Sequence, residues 1–170
     1  MKLLNLLIPL FASAAFCASC DDGELKLDQS TATVRFVSAH AEIEQTSDEQ
    51  TPLMILASKG STLNAYKVYI AVEDPEAWIG DICTIANPVY KEPDHENGDH
   101  RIIYTANMGE GMLKTALLIT AGVHSSEDID RELRFEIIED PLKASYPGGN
   151  PYYKTNKNRS MTVLLKEMEP

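Results

Sequence analysis

The groups in this chain that could do chemistry are three cysteines, four histidines and several runs of acidic residues. Cys17 and Cys20 have the Cys-x-x-Cys spacing of a redox or metal pair. Cys17, however, ends an apolar stretch, which argues against a soluble dithiol site. Asp94-His95-Glu96-Asn97-Gly98-Asp99-His100 gathers two imidazoles and three carboxylates, donors that a transition metal can use. His-x₄-His matches neither a helical i, i+4 pair nor a zinc-finger spacing, and Asn97-Gly98 makes a turn the simpler expectation. Glu127, Asp128 and Asp130 supply oxygen donors, and Ca²⁺ takes about six to eight of these. Glu136, Glu139 and Asp140 are candidate acids, but a catalytic carboxylate pair needs a cleft to set its separation, and no partner is visible. Cys83 has Ile82 and Ile85 beside it and is expected to be buried and inert. No Gly-x-Ser-x-Gly, His-Glu-x-x-His or phosphate-cradling loop occurs, so an enzyme is not expected. The best binding signal is aromatic. Tyr146, Tyr152 and Tyr153 stand on a Pro/Gly-rich segment, and Trp78 lies in a similar polar setting. Exposed rings stack on sugar faces or anchor protein contacts; the competing expectation is that these rings cap the ends of the domain.

Period-two alternation, the pattern of a half-buried strand, dominates after residue 30. It predicts strands over 31–37, 65–72, 82–86, 101–106, 113–120, 132–139 and 160–167. The continuous apolar run 53–57 suits a central strand. Turn signals separate them: Asp74-Pro75, Asn97-Gly98, Gly109-Glu110-Gly111 and Pro147-Gly148-Gly149-Asn150-Pro151. Helical periodicity is absent beyond one turn near 75–79, which Asp74 could cap. About eight strands with turn signals predict an all-β fold, an antiparallel immunoglobulin-like sandwich over residues 31–168.

Residues 1–19 read as a secretory leader. Lys2 is the positive start, residues 3–16 are an apolar core, and small residues follow. The apolar core is shorter than the roughly 20 residues that span a bilayer. Ala18-Ser19-Cys20 resembles the lipobox of bacterial lipoproteins, although Cys17 stands where that family prefers Leu. The resemblance implies cleavage before Cys20, acylation of its sulfur, and a lipid-anchored product whose tether is residues 20–30. An ordinary secretory signal is the alternative. Asp21 and Asp22 resemble the surface-export signal of Bacteroidota-type lipoproteins, and the chain is expected on the cell surface of an outer membrane; in many other Gram-negative bacteria the same position resembles a retention signal. Acylation would leave Cys83 without a disulfide partner in the mature chain.

Loss of the leader leaves roughly 150 residues, enough for one domain with a real core. It removes one Lys and no acid, so the product is one unit more negative than the full chain's −11. Nucleic acid is not an expected partner for such a charge.

The stretch 121–166 resembles the C-terminal half of Calx-beta domains. It has Glu127-Asp128-Ile129-Asp130-Arg131-Glu132-Leu133-Arg134-Phe135, then Pro141, then Met161 to Leu165, while Val34-x-Phe36 and Ile43-Glu44 resemble the family's opening. The resemblance implies a sandwich and, in some members, calcium bound through a run of Asp before the acidic loop. Here Ala121-Gly122-Val123-His124-Ser125-Ser126 replaces that run, so no cofactor is expected; the resemblance leaves Glu127, Asp128 and Asp130 as the oxygen donors for calcium. The resulting expectation is a non-enzymatic, membrane-anchored binding or accessory module for a glycan or an envelope protein. The alternatives are a structural component of the envelope and, further off, a carboxylate-dependent hydrolase.

Overall fold

Alternation along each strand decides the architecture. Ala32, Val34 and Phe36 of β1 (Ala32–Phe36) are buried, with half-exposed residues between them. The same in–out rhythm runs through β3 (Thr51–Ala57), β9 (Arg131–Ile137) and β11 (Ser160–Lys166). Each strand therefore has one apolar face to bury, and two sheets packed face to face are the solution. The computed structural model describes residues 31–45, 49–59, 65–74, 76–122, 130–145 and 152–166.

The remaining strands are β2 (His40–Glu44), β4 (Tyr66–Glu73), β5 (Cys83–Ile85), β6 (Val89–Lys91), β7 (Arg101–Met108), β8 (Lys114–Ala121) and β10 (Tyr153–Thr155). One sheet has the order β10-β1-β3-β8-β5 and the other β2-β11-β9-β4-β7-β6. Val34, Phe36, Ile55, Leu117 and Ile119 from the first meet Val68, Ile70, Val72, Leu133, Phe135, Val163 and Leu165 from the second in one core.

The expected immunoglobulin-like sandwich is thus present, and the apolar run 53–57 lies in β3, at the centre of its sheet. Two features differ from expectation. There are eleven strands rather than about eight, and the additional β2, β6 and β10 are all edge strands. The pairing is also not wholly antiparallel: β10 runs parallel to β1, and β2 parallel to β11.

Two polar side chains hold the sheets together. Asn87 lies between β5 of one sheet and β6 of the other. Its amide donates to the carbonyls of Thr105 (3.3 Å) and Ala116 (3.1 Å), and its oxygen accepts from the Leu118 N–H at 2.7 Å. Tyr153, on the edge strand β10, is 1% exposed. Its hydroxyl donates to the Ile138 carbonyl (2.8 Å) and accepts from the Tyr69 N–H (3.1 Å). Paired residues between β4 and β9 run from Glu73↔Arg134 to Ile70↔Ile137. The hydroxyl thus bridges the two strands next to where that ladder stops, and ties one sheet to the other.

Candidate functional site

The outward face of the six-stranded sheet carries a groove. Inward side chains of β4 and β9 are apolar, so the alternate residues face out: Ala71 and Glu73 on β4, Arg134 and Glu136 on β9. Register sets them in rows. One row runs Arg101–Glu73–Arg134–Thr162 across β7, β4, β9 and β11. The next runs Ile103–Ala71–Glu136–Ser160. Directly opposed residues have Cβ atoms about 5 Å apart, so each row is a contiguous strip. Small Ala71 leaves a depression between larger neighbours. Ala71, Glu73, Arg101, Arg134, Glu136, Ser160 and Thr162 help to line a cavity of about 250 Å³. A second hollow of about 490 Å³ adjoins it, sharing Glu73 and Arg101 and continuing to Asp99 and His100.

The charges in the groove are partly held. Arg134 places its Nε 3.2 Å from Glu132, and Arg101 places its Nε 3.4 Å from Asp99. Both guanidiniums are thereby oriented with their terminal nitrogens not used in those contacts. Glu73 stands between them with no ion pair of its own among the described residues. Glu136 pairs with Arg159 at 2.9 Å. Lys91, at 2.8 Å, then the Arg101 N–H, hold the Asp99 carboxyl down at about 2, so it remains a fixed anion. The row offers donors, an acceptor and hydroxyls over a small apolar floor, which is how a pocket fixes a hydroxyl-rich ligand. Of the carboxylates considered for catalysis, Glu136 lines the groove but is ion-paired. Glu139 pairs with Lys143, and Asp140 is buried and accepts from the Leu142 N–H.

The aromatic candidates are not brought together. Trp78 is set by a tight turn: the buried Asp74 carboxylate accepts from the N–H groups of Trp78 and Ile79, each at 2.8 Å, and Ala77 takes φ 56° to close it. Asp74 thus caps this segment as anticipated, but as an irregular turn rather than the expected turn of helix. The Trp78 ring packs partly on the core, and the Arg131 guanidinium lies 5.5 Å from its centroid. Tyr152 lies at the other end of β4, stacked on Tyr66 with centroids 5.9 Å apart. A strand of eight residues separates the two sites by roughly 25 Å. Tyr153, a candidate for ligand contact, has its ring in the core and both faces of its hydroxyl committed, so it offers no binding surface. Tyr152, 37% exposed, keeps an accessible ring. Tyr146 lies outside the described residues.

Among the metal candidates, Glu127 and Asp128 lie outside the described residues, and Asp130 is exposed just before β9. No group of three or more His, Cys, Asp or Glu is arranged to hold a metal among the described residues. Cys83 is buried, and burial, then the Asp74 charge, push its thiol up to about 12, as expected of an inert core residue. Cys20, Asp21 and Asp22 lie outside the described residues. Arg101 and Glu73 were not singled out from the sequence. The one signal for the groove was the charged outward half of the Glu132-x-Arg134-x-Glu136 alternation.

No protein-family profile matches the chain, and no match is found among curated proteins. Solved structures do match in fold. The apo-form Calx CBD1 domain superposes with a TM-score of 0.54 at 10% identity, covering 82% of this chain and 100% of that one. The Calx CBD2 domain gives 0.51 at 12% identity, covering 81% and 87%. At such identities the likeness establishes the fold alone: a Calx-beta-like β-sandwich.

Proposed function

We propose that the chain is a non-enzymatic binding module, lipid-anchored at the surface of a bacterial outer membrane, and that the groove on the six-stranded sheet holds a hydroxyl-rich glycan. The groove carries the reading, because Arg101, Glu73 and Arg134 alternate donor, acceptor and donor beside Thr162 and Ser160. Hydrogen bonds from a guanidinium or to a carboxylate are shorter and stronger than neutral ones, so this strip can hold ligand hydroxyls firmly. Anchoring rests on the Cys20 motif. One acyl chain holds a protein weakly and two or more hold it firmly, at about 0.8 kcal/mol per buried CH₂. Asp21 and Asp22 serve in this reading as the surface-export signal.

Orientation supports the combination. β1 begins at Ala32, which pairs with Tyr153 at the end of the sandwich where Tyr66 starts β4. Glu73, at the far end of β4, lies about 23 Å along the strand from Tyr66. A tether leading from Ala32 to the membrane thus leaves the groove on the distal half of the domain.

Glycan arrays and envelope pull-downs with the wild type and Arg134→Ala test the reading. Wild-type binding to a glycan that Arg134→Ala weakens tenfold or more supports it. One stoichiometric protein partner with no glycan binding would indicate a structural envelope component instead. Cys20→Ala should release the protein from membranes; a membrane-bound, lipid-labelled variant would refute the anchor.

A further inference from the structure

We infer that His95 and His100 form a two-imidazole site for one divalent transition-metal ion, Zn²⁺, Ni²⁺ or Cu²⁺, at the tip of the β6–β7 connection. The inference is independent of what the groove binds. The two rings meet Nδ1 to Nδ1 at 3.1 Å, with centroids 5.2 Å apart and planes tilted by 47°. With metal–nitrogen bonds of about 2.05 Å, two cis ligands at 90° stand about 2.9 Å apart and two tetrahedral ligands about 3.4 Å apart. The observed separation lies between these limits. A shift of a few tenths of an ångström would seat either geometry.

The sequence spacing that fits no helical or finger motif is explained by the turn itself. Asp94 and Asp99 close it with two reciprocal backbone hydrogen bonds of 2.9 Å. Inside, His95–Asn97 forms a single 3-10 turn, and Gly98 takes φ 74° to end it. The Asp94 carboxylate is held by the Asn97 N–H at 3.3 Å and by its side-chain amide at 2.7 Å. Asp99 is held by Lys91 and Arg101. Both carboxylates are thus spent on building the turn, and the two imidazoles are brought together across it. A ligand pair placed in advance loses little freedom on binding.

The local charge is acidic on balance: residues 91–101 carry Glu92, Asp94, Glu96 and Asp99 against Lys91 and Arg101, both of which pair with Asp99. Glu96, beside His95 in the turn, is exposed and makes no ion pair among the described residues, and water would complete the coordination sphere. Imidazole suits Zn²⁺, Ni²⁺ and Cu²⁺, and the open sphere leaves room for exchangeable ligands.

The test is calorimetric titration of the EDTA-stripped full chain with Zn²⁺. One equivalent should bind. His95→Ala and His100→Ala should each weaken binding at least tenfold, whereas His40→Ala and His124→Ala leave it unchanged. Imidazole ¹⁵N spectra of the unaltered protein give a second readout that does not depend on the variants folding. Zn²⁺ should place the proton of both rings on Nε2. Failure to bind, binding lost in His124→Ala instead, or an Nδ1–H that persists at saturating Zn²⁺ would each overturn the inference and leave the contact a hydrogen bond between two rings.

Discussion

Two tyrosine-to-phenylalanine changes, each deleting one oxygen, should have opposite consequences. Tyr153→Phe removes a hydroxyl that donates to the Ile138 carbonyl and accepts from the Tyr69 N–H, with Tyr153 and Tyr69 both buried. No packing volume is lost, so the cost comes from a backbone donor and acceptor left without a partner. At about 1–3 kcal/mol for each such group, with the lower half applying where water can enter, the change should destabilise the domain by about 2–4 kcal/mol. For a domain of about 150 residues that lowers Tm by roughly 5–15 °C. Tyr66→Phe removes a hydroxyl that is equally buried but has no hydrogen-bond partner among the described residues. Burial alone raises the pKa of that hydroxyl. Its removal should be neutral or stabilising, because a desolvated group is deleted and no bond is broken. Urea unfolding at 25 °C measures both, and unchanged m-values would show that the comparison concerns the folded state. A loss below about 0.5 kcal/mol for Tyr153→Phe would refute the bridging role. So would an equal loss in the two variants.

Three further outcomes follow from the polar contacts. Asp74→Ala strips two N–H groups of their acceptor at the Trp78 turn and should cost about 2–3 kcal/mol in the same urea assay; a change within experimental error would mean the turn closes without it. Cys83, with its thiol pushed up to about 12, should resist iodoacetamide at pH 8 and react only as urea opens the fold; labelling at the rate of a free thiol in native buffer would contradict its burial. Asp99 is held at about 2, below its ordinary range, so the pairing stabilises the fold fully above about pH 4 and that contribution fades as pH falls towards 2. Lys91→Met should move the Asp99 carboxyl midpoint, followed by NMR, back up towards the ordinary range, and an unmoved midpoint would assign the shift elsewhere.

How much was legible depended on strand length and on range. The strands of seven or eight residues carry a pattern long enough to be read directly, as in Leu133-x-Phe135-x-Ile137 against Glu132-x-Arg134-x-Glu136. β2, β6 and β10 were missed: each pairs on one side only and carries little apolar pattern, whereas β5, an edge strand as short as β6 and β10, was legible from the apolar residues around Cys83. Val89–Lys91 has all three residues exposed, and Tyr153–Thr155 buries one. A three-residue strand gives no periodicity to detect. The groove was hidden for a different reason. Glu73, Arg101 and Arg134 look like ordinary outward polar residues until register aligns three strands that are far apart in sequence. Tyr153 misled because a Pro/Gly-rich neighbourhood suggested exposure, whereas β10 pairs with β1 and places the ring in the core. The His95–His100 contact lay outside any spacing rule because an irregular turn, not a helix, brings the rings together.

The central claim is that the outer face of the six-stranded sheet binds a glycan, and amide chemical-shift mapping during titration with envelope polysaccharide tests it most directly. Shifts should cluster at Ala71, Glu73, Arg101, Arg134, Glu136, Ser160 and Thr162, and weaken tenfold or more in apparent affinity in Arg134→Ala. An absence of saturable shifts, or shifts confined to Trp78 or Tyr152, would contradict the account.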